Sequence, residues 1–265
     1  MTTAVTNDTL MVRASLASLL ARGFAYPDEA LRQSLLSGEF AGRVGEACKQ
    51  LGFRDRTPGL EAAIADVAGR DAYGLAGEHT RLFARTVLCP MNEASYVGAG
   101  GLASVRDIAD VASLYNVFGY KVAPQAKELA DSLPVELEFL GVLCAKETYA
   151  LEQGWKDRAK VCEDVRAKFV NEHLAVWLPQ FAERVRKNAR LGLYPALAGL
   201  AETLLSLEDI RPPVADPLPA VRPAGAGLGG GEDSDPGCPS DTTQFSPLSF
   251  GRTMANRTPP QEERK

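Results

Sequence analysis

The chain has 265 residues, a formal net charge of -5 and a hydrophobic fraction of 45%, values typical of a globular protein with one sizeable core. Lys and Arg form no basic run, which argues against nucleic acid as a main partner. No uncharged apolar run reaches the roughly 18 residues that a membrane-spanning helix needs. We therefore expect a cytoplasmic protein without stable membrane insertion.

Helical patterning extends from Thr9 to about Ile210. Apolar residues recur at spacings of three and four, good helix formers are abundant, and strand-like alternation is missing. The pattern predicts a single all-α bundle of about eight to ten helices. Besides the two clearest helices described next, the predicted segments lie near 10–25, 28–50, 58–69, 71–84, 103–118, 156–172 and 194–207.

The two clearest helices are predicted over 131–151 and over about 175–189. In the first, Leu133, Leu137, Leu140 and Cys144 form one apolar stripe, and in the second Trp177, Phe181 and Val185 are spaced by four. At the start of the first helix, Asp131 or Ser132 is placed to act as the N-cap.

The composition changes after Ile210. Of the 55 residues in 211–265, 17 are Pro or Gly, and few are large and apolar. Such a segment cannot bury enough surface to offset the entropy of ordering it. We therefore expect a helical domain over 1–210 and a disordered tail over 211–265.

Histidine and cysteine are the residues on which most nucleophilic and metal chemistry depends, and here they are few. The chain has two histidines, His79 and His173, and five widely spaced cysteines without zinc-site spacing. Cys89 and His79 form a conceivable thiolate pair, but no third group is placed to orient them. A packed thiol beside a helix-face histidine is the favoured interpretation. The sequence predicts no catalytic residue, no metal site and no cofactor.

Three motifs follow one another along the helical region. They are E-H-T-R-L-F over 78–83 followed by C-P-M-N-E-A-S-Y over 89–96, D-S-L-P-V-E-L-E-F-L over 131–140, and F-V-N-E-H-L-A-V-W-L-P-Q-F over 169–181. In order and approximate spacing they resemble the TorD/DmsD/NarJ family of cytoplasmic chaperones, which assist maturation of molybdenum-containing oxidoreductases. The resemblance covers about residues 10–205.

The resemblance implies a partner, namely an immature molybdenum-containing catalytic subunit and its twin-arginine signal peptide. The chaperone would hold this client until its cofactor is inserted and so prevent premature export. A monomer or a helix-swapped dimer is compatible with a bundle of this kind. The positions implied to line the binding groove are His79, Leu82, Phe83, Cys89, Pro90, Glu93, Tyr96, Asp131, Ser132, Glu136 and Phe139.

Two of these positions depart from the family pattern. His79 stands where the family usually has an aromatic residue, and Ser132 stands where a histidine usually follows the aspartate. The second change removes a titratable group from the implied groove. Peptide binding does not depend on that group, because Ser132 keeps a hydroxyl and Asp131 keeps its charge.

Energetics favour apolar contacts as the main source of affinity for a signal peptide. Burial of one Leu- or Phe-sized side chain contributes roughly 1.5–3 kcal/mol, whereas an exposed ion pair contributes about 0.2–1 kcal/mol. On this hypothesis Leu82, Phe83, Tyr96 and Phe139 receive the client's apolar segment. Glu93, Asp131 and Glu136 then orient its arginines, and Pro90 fixes the backbone of the loop.

Simpler interpretations stay open. Each of the apolar residues, taken alone, is better explained as part of the core. Glu93 can instead cap a helix or bind nearby backbone amides, and Asp131 can cap its own helix. Two other functional classes also stay open: a small helical enzyme using Cys89 and His79, and a permanent structural adaptor of a redox complex.

Overall fold

A computed structural model describes residues 6–53, 57–68, 72–85, 88–97, 102–123, 128–208 and 210. All of them belong to the first of two units, Met1–Asp216 and Pro217–Lys265. The predicted disordered tail over 211–265 lies outside the described residues.

The described part of the chain is helical, which confirms the predicted all-α class, and its single β pairing is a bridge between Asn92 and Ser132. None of its helices is long and apolar enough to cross a membrane. The helices are α1 Asn7–Phe24, α2 Glu29–Leu36, α3 Glu39–Gln50, α4 Thr57–Ala68, α5 Ala72–His79, α6 Leu102–Val117, α7 Leu133–Glu152, α8 Lys156–Phe169, α9 Ala175–Asn188 and α10 Leu193–Leu205.

The single helix predicted over 28–50 is wrong, because the segment forms two helices, α2 and α3. The break lies at Gly38, which has a φ of 77°. A positive φ is accessible to glycine but strained for residues with a Cβ atom, so the chain can turn at this position.

The long helices α1 and α7 form the centre of the bundle and run antiparallel. Leu16 and Leu20 of α1 and Leu137 and Leu140 of α7 are buried. Between the two helices, Gly141 approaches α1 so closely that an added Cβ atom would lie 3.1 Å from the Ala14 carbonyl oxygen. The small side chains at this crossing allow the two backbones to pack tightly.

A π-helical turn, Val170–Leu174, joins α8 to α9. On α9, the predicted row of Trp177, Phe181 and Val185 is fully buried. Pro179 lies inside the same helix and lacks the N–H that would bond to the carbonyl four residues earlier, directly after the π-helical turn.

A buried ion-pair network joins both ends of the described chain to the centre of the bundle. Glu208, which follows α10, binds Arg13 of α1 at 3.0 Å and also binds Arg166 of α8. Arg166 in turn binds Glu147 of α7 at 2.9 Å. We call these four residues the terminal clamp.

Candidate functional site

The loop 88–97, which carries the Cys-Pro pair, is fastened to the start of α7 by backbone hydrogen bonds. The amide of Glu93 donates to the Asp131 carbonyl at 3.0 Å, and the amide of Leu133 donates to the Met91 carbonyl at 2.8 Å. The bridge between Asn92 and Ser132 lies between these two bonds. The second half of the first motif and the start of the second motif therefore form one structural unit.

The Asp131 carboxylate strengthens the same junction. It is fully buried and accepts hydrogen bonds from the Ala94 amide at 3.1 Å and from the Asn92 side chain at 3.3 Å. Ser132 occupies the N-cap position of α7 and forms no side-chain capping bond. Asp131 thus binds the neighbouring loop and does not cap its own helix.

Behind this junction lies a buried acidic cluster, which we define as Glu93, Glu136, His173 and Trp177. The Nδ1 atom of His173 lies 3.0 Å from a Glu93 carboxylate oxygen, and the Trp177 indole donates to Glu136 at 3.1 Å. Glu136 is completely buried, and its second oxygen has no hydrogen-bond partner. Burial, together with repulsion from Glu93 and Asp131, raises the pKa of the Glu136 carboxyl well above its ordinary value.

His173 and Trp177 are absent from the predicted site, yet they complete the acidic cluster. Both belong to the third motif, so their place in the motif was a usable signal. Helical periodicity placed Trp177 in one row with Phe181 and Val185, and it gave no indication that the indole would meet a carboxylate on α7. The contact depends on how α7 and α9 cross, which no local pattern encodes.

The apolar residues predicted to receive a peptide lie instead in the core. Leu82 and Phe139 are fully buried, and Phe83 is 9% exposed. Phe83 packs against Phe181 with ring centroids 6.1 Å apart, and Phe139 packs against Phe169 at 5.0 Å. The expected open pocket made by these three side chains is therefore corrected to a closed aromatic interior.

Tyr96 and Pro90 are the two predicted site residues that keep partial exposure. The Tyr96 hydroxyl donates to the Pro90 carbonyl at 2.8 Å, and its ring stacks on Trp177 at 5.4 Å. The Arg184 guanidinium lies over the Tyr96 ring, 5.4 Å from its centroid. These contacts hold the loop in one conformation above the acidic cluster.

Cys89 and His79 do not form the geometry of a nucleophile and its base. Burial raises the pKa of the Cys89 thiol, which is the opposite of what a reactive thiolate needs. A ring nitrogen of His79 lies 3.0 Å from the Phe24 carbonyl, and burial lowers the pKa of this imidazole. Within the described ranges, no group of His, Cys, Asp and Glu is arranged to hold a metal ion.

The charged residues of the first motif, Glu78 and Arg81, have a structural role. Glu78 is buried, forms an ion pair with Arg81 at 2.8 Å and accepts a hydrogen bond from the Arg190 amide at 2.6 Å. Arg81 also donates to the Asn188 carbonyl at 2.7 Å. This pair joins α5 to the end of α9, and a π-helical segment, Thr80–Arg85, then turns Leu82 and Phe83 into the core.

Comparison with known proteins identifies a family for this arrangement. The family model described as nitrate reductase delta subunit matches residues 46–183, which is more than half of the chain. The selenate reductase assembly chaperone protein of Thauera selenatis is 30% identical over 173 residues, a match that covers 56% of this chain and 89% of that protein.

Two further relatives match over shorter stretches. Chaperone protein TorD of Vibrio parahaemolyticus is 30% identical over 43% of this chain and 52% of the relative. The perchlorate reductase assembly chaperone protein of Dechloromonas aromatica is 33% identical over 36% of this chain and 42% of the relative. The chain thus spans about half the length of the TorD proteins it matches.

Proposed function

The chain belongs to the nitrate reductase delta subunit family, which includes TorD-like chaperones, and from this premise we propose that it is an assembly chaperone for a molybdenum-containing oxidoreductase. Its client is the immature catalytic subunit, bound through the twin-arginine signal peptide, through the cofactor-free body, or through both. By holding the client in the cytoplasm until the cofactor is inserted, the chaperone prevents premature export.

The observation that carries this proposal is the match along nearly the whole length of an assembly chaperone from Thauera selenatis. The geometry agrees with a binding role, because the three motifs meet at one buried junction that fixes a loop and offers no activated nucleophile. Such a junction holds the surface of the loop in one conformation before a partner binds. This preorganisation lowers the conformational entropy that is lost on binding.

The predicted contact residues enter the proposal in two groups. Pro90 and Tyr96 are partly exposed and are proposed to touch the client directly. The other residues shape the surface from beneath, since their side chains are buried: His79, Leu82, Phe83, Cys89, Glu93, Asp131, Ser132, Glu136 and Phe139.

Affinity isolation from the native cytoplasm tests the proposal. The tagged chain is recovered from cells grown with molybdate and from cells starved of it, and the bound proteins are identified by mass spectrometry. We expect one oxidoreductase catalytic subunit, with molybdenum well below one atom per subunit and with more of it captured under starvation.

Two results would contradict the proposal. Recovery of a fully molybdenum-loaded enzyme in constant proportion to the chain would identify a permanent adaptor of a redox complex. Absence of any oxidoreductase subunit under both growth conditions would remove the chaperone role altogether.

A further inference from the structure

Several large apolar side chains that stay exposed line one groove, between the ends of α6 and α7 and the start of α8. They are Val117, Tyr149, Trp155 and Val161, of which Val117 is 79% exposed. The groove has a volume of about 470 Å³, within the roughly 300–1,000 Å³ common for ligand sites. Single exposed apolar residues are ordinary, but a group of them around one cavity is typical of an interaction site. We call this cavity the aromatic groove.

The floor of the aromatic groove is apolar. Ala150 and Cys162 line it and are buried, and Phe118, which follows α6, also lines it. Tyr149 and Trp155 form one wall, with ring centroids 5.7 Å apart. An apolar side chain that enters between these groups is removed from water together with the surface that it covers, and this burial is favourable.

Positive charge dominates the lining of the aromatic groove. Lys146 and Arg158 line it, and neither has a carboxylate partner among the residues that the structure describes. The carboxylate on the lining, Asp157, lies in the first turn of α8, where a negative charge interacts favourably with the helix dipole. Burial raises the pKa of the Cys162 thiol, and the Lys146 ammonium opposes that rise, so its charge acts on the buried floor.

Arg158 is held in an orientation that suits a carboxylate ligand. Its guanidinium carbon lies 4.5 Å from the Trp155 ring centroid. Stacking on an aromatic ring fixes the plane of a guanidinium group and leaves the N–H groups at its edge available to donate. Two parallel N–H groups of such an edge match the two oxygens of a carboxylate. The groove therefore combines a carboxylate-binding edge with an apolar floor.

The aromatic groove and the loop 88–97 lie at opposite ends of α7. The loop is fastened to the start of this helix, whereas Lys146 and Tyr149 belong to its C-terminal part. Because an α-helix rises 1.5 Å per residue, Leu133 and Lys146 are about 20 Å apart along the helix axis. A short segment bound at one end of α7 therefore leaves the other end accessible.

We propose that the aromatic groove binds an acidic segment of a second protein, in which a Leu- or Phe-sized side chain follows the carboxylates. Arg158 and Lys146 bind the carboxylates, and the apolar side chain lies on Ala150 and Cys162. Since this surface is separate from the loop 88–97, the chain can hold its client and the second protein at the same time.

Fluorescence anisotropy with synthetic peptides tests the proposal. The probe is a fluorescein-labelled peptide with two adjacent aspartates followed by a leucine and a phenylalanine. One matched peptide has asparagines in place of the aspartates, and another has alanines in place of the leucine and the phenylalanine. The full chain is compared with Lys146→Gln and Arg158→Gln, two substitutions at exposed positions that should leave the fold intact. The control is Lys187→Gln, which removes an exposed cation on α9 outside the lining of the groove.

We expect Lys146→Gln and Arg158→Gln each to weaken binding of the aspartate peptide by about 3- to 10-fold, the range for charge-assisted contacts at a partly exposed site. Lys187→Gln should bind it as the unmodified chain does. The asparagine peptide should bind more weakly, and equally, to all four proteins. The alanine peptide should bind the unmodified chain at least about 10-fold more weakly than the probe, because the apolar burial is lost.

Three results would overturn the proposal. The first is no binding of the aspartate peptide up to about 1 mM, or binding that neither Lys146→Gln nor Arg158→Gln weakens. The second is binding to vesicles of anionic phospholipid, without peptide binding, that both substitutions abolish, which would assign the groove to a membrane surface. The third is self-association that Arg158→Gln abolishes, which would assign the groove to a second copy of the chain. The chaperone role is tested separately by affinity isolation and stands or falls on that experiment.

Discussion

Glu136 is the residue whose environment departs most from that of an ordinary carboxylate. It is completely buried, it receives one hydrogen bond from Trp177, and it lies near the carboxylates of Glu93 and Asp131. Desolvation and like-charge repulsion both favour the protonated form, so the folded-state pKa is raised above the ordinary value of 4.5. The folded protein therefore keeps a proton that the unfolded chain releases.

This difference predicts a fall in stability as the pH rises. Below the unfolded-state pKa both states hold the proton and there is no penalty, whereas between the unfolded and the folded pKa only the unfolded chain ionises. Glu136→Gln should raise the free energy of unfolding at pH 7 by about 1–3 kcal/mol and have little effect near pH 4. Urea unfolding across this pH range measures the effect.

The matched control for this prediction is Glu138→Gln, the same substitution at an exposed position two residues further along the same helix. Its effect on stability should be small at every pH. If Glu136→Gln destabilised the protein equally at pH 4 and pH 7, the buried carboxyl would be ionised, or the acidic cluster would require its charge.

At the scale of helices, the crossing of α1 and α7 depends on a missing side chain. Gly141 lies inside α7, where alanine would ordinarily be preferred by about 1 kcal/mol. Here an added Cβ atom would meet the backbone oxygen of Ala14 at 3.1 Å, and a helix backbone cannot easily move away. Close packing between the helices therefore outweighs local helix propensity at this position.

We expect Gly141→Ala to lower the free energy of unfolding by about 1–3 kcal/mol, the usual effect of overpacking. Gly42→Ala in α3 is the matched control, because nothing lies within 4 Å of its added Cβ atom. This control should stabilise the protein by up to about 1 kcal/mol. Thermal unfolding followed by circular dichroism measures both, and an equal gain from the two substitutions would show that the α1–α7 contact is looser than described.

Helix positions were largely predictable, because amphipathic periodicity is a local signal. The helix predicted over about 175–189, with Trp177, Phe181 and Val185 spaced by four, is confirmed as α9, and these three side chains are buried. The break within 28–50 was missed, although Gly38 follows a serine at the end of an apolar run and offered a turn signal. The apolar residues on both sides of Gly38 recur at helical spacing, so the two segments were taken as one helix.

The candidate site was less predictable, for a physical reason. The motifs indicated which segments matter, but whether a side chain such as Phe139 or Glu136 faces a groove or the interior depends on how distant helices pack. An acidic residue is rarely buried without an ionic partner, so exposure was the reasonable expectation for Glu136. An open groove between the end of α1 and the start of α7 is lined instead by Glu128 and Glu138, and no motif pattern distinguished these from ordinary surface carboxylates.

At the scale of the whole molecule, the terminal clamp connects elements that are distant along the chain. The side chains of Arg13, Glu208, Arg166 and Glu147 are all less than 10% exposed. Removal of one partner from a buried ion pair leaves an uncompensated charge, which typically destabilises a protein by about 3–5 kcal/mol. Glu208 binds two arginines, so its removal leaves both Arg13 and Arg166 without this partner.

We expect Glu208→Gln to lower the free energy of unfolding by about 3 kcal/mol or more, as measured by urea unfolding at pH 7. Glu202→Gln provides the comparison, since Glu202 pairs with Arg186 at a more exposed position and should change stability by no more than about 1 kcal/mol. If the two substitutions changed the free energy of unfolding equally, the terminal clamp would be hydrated and would contribute little to stability.

The position of the clamp also determines how the protein can be immobilised or labelled. Arg13 and Glu147 lie nine residues from Arg22 and Glu138, which places the clamp roughly 13 Å along the central helix pair from the groove that these two residues line. A surface tether or dye joined to the backbone after Ile210 therefore starts at the opposite end of that pair. We expect a dye at this position to report distances along the helix pair, which suits energy-transfer measurements on this chain.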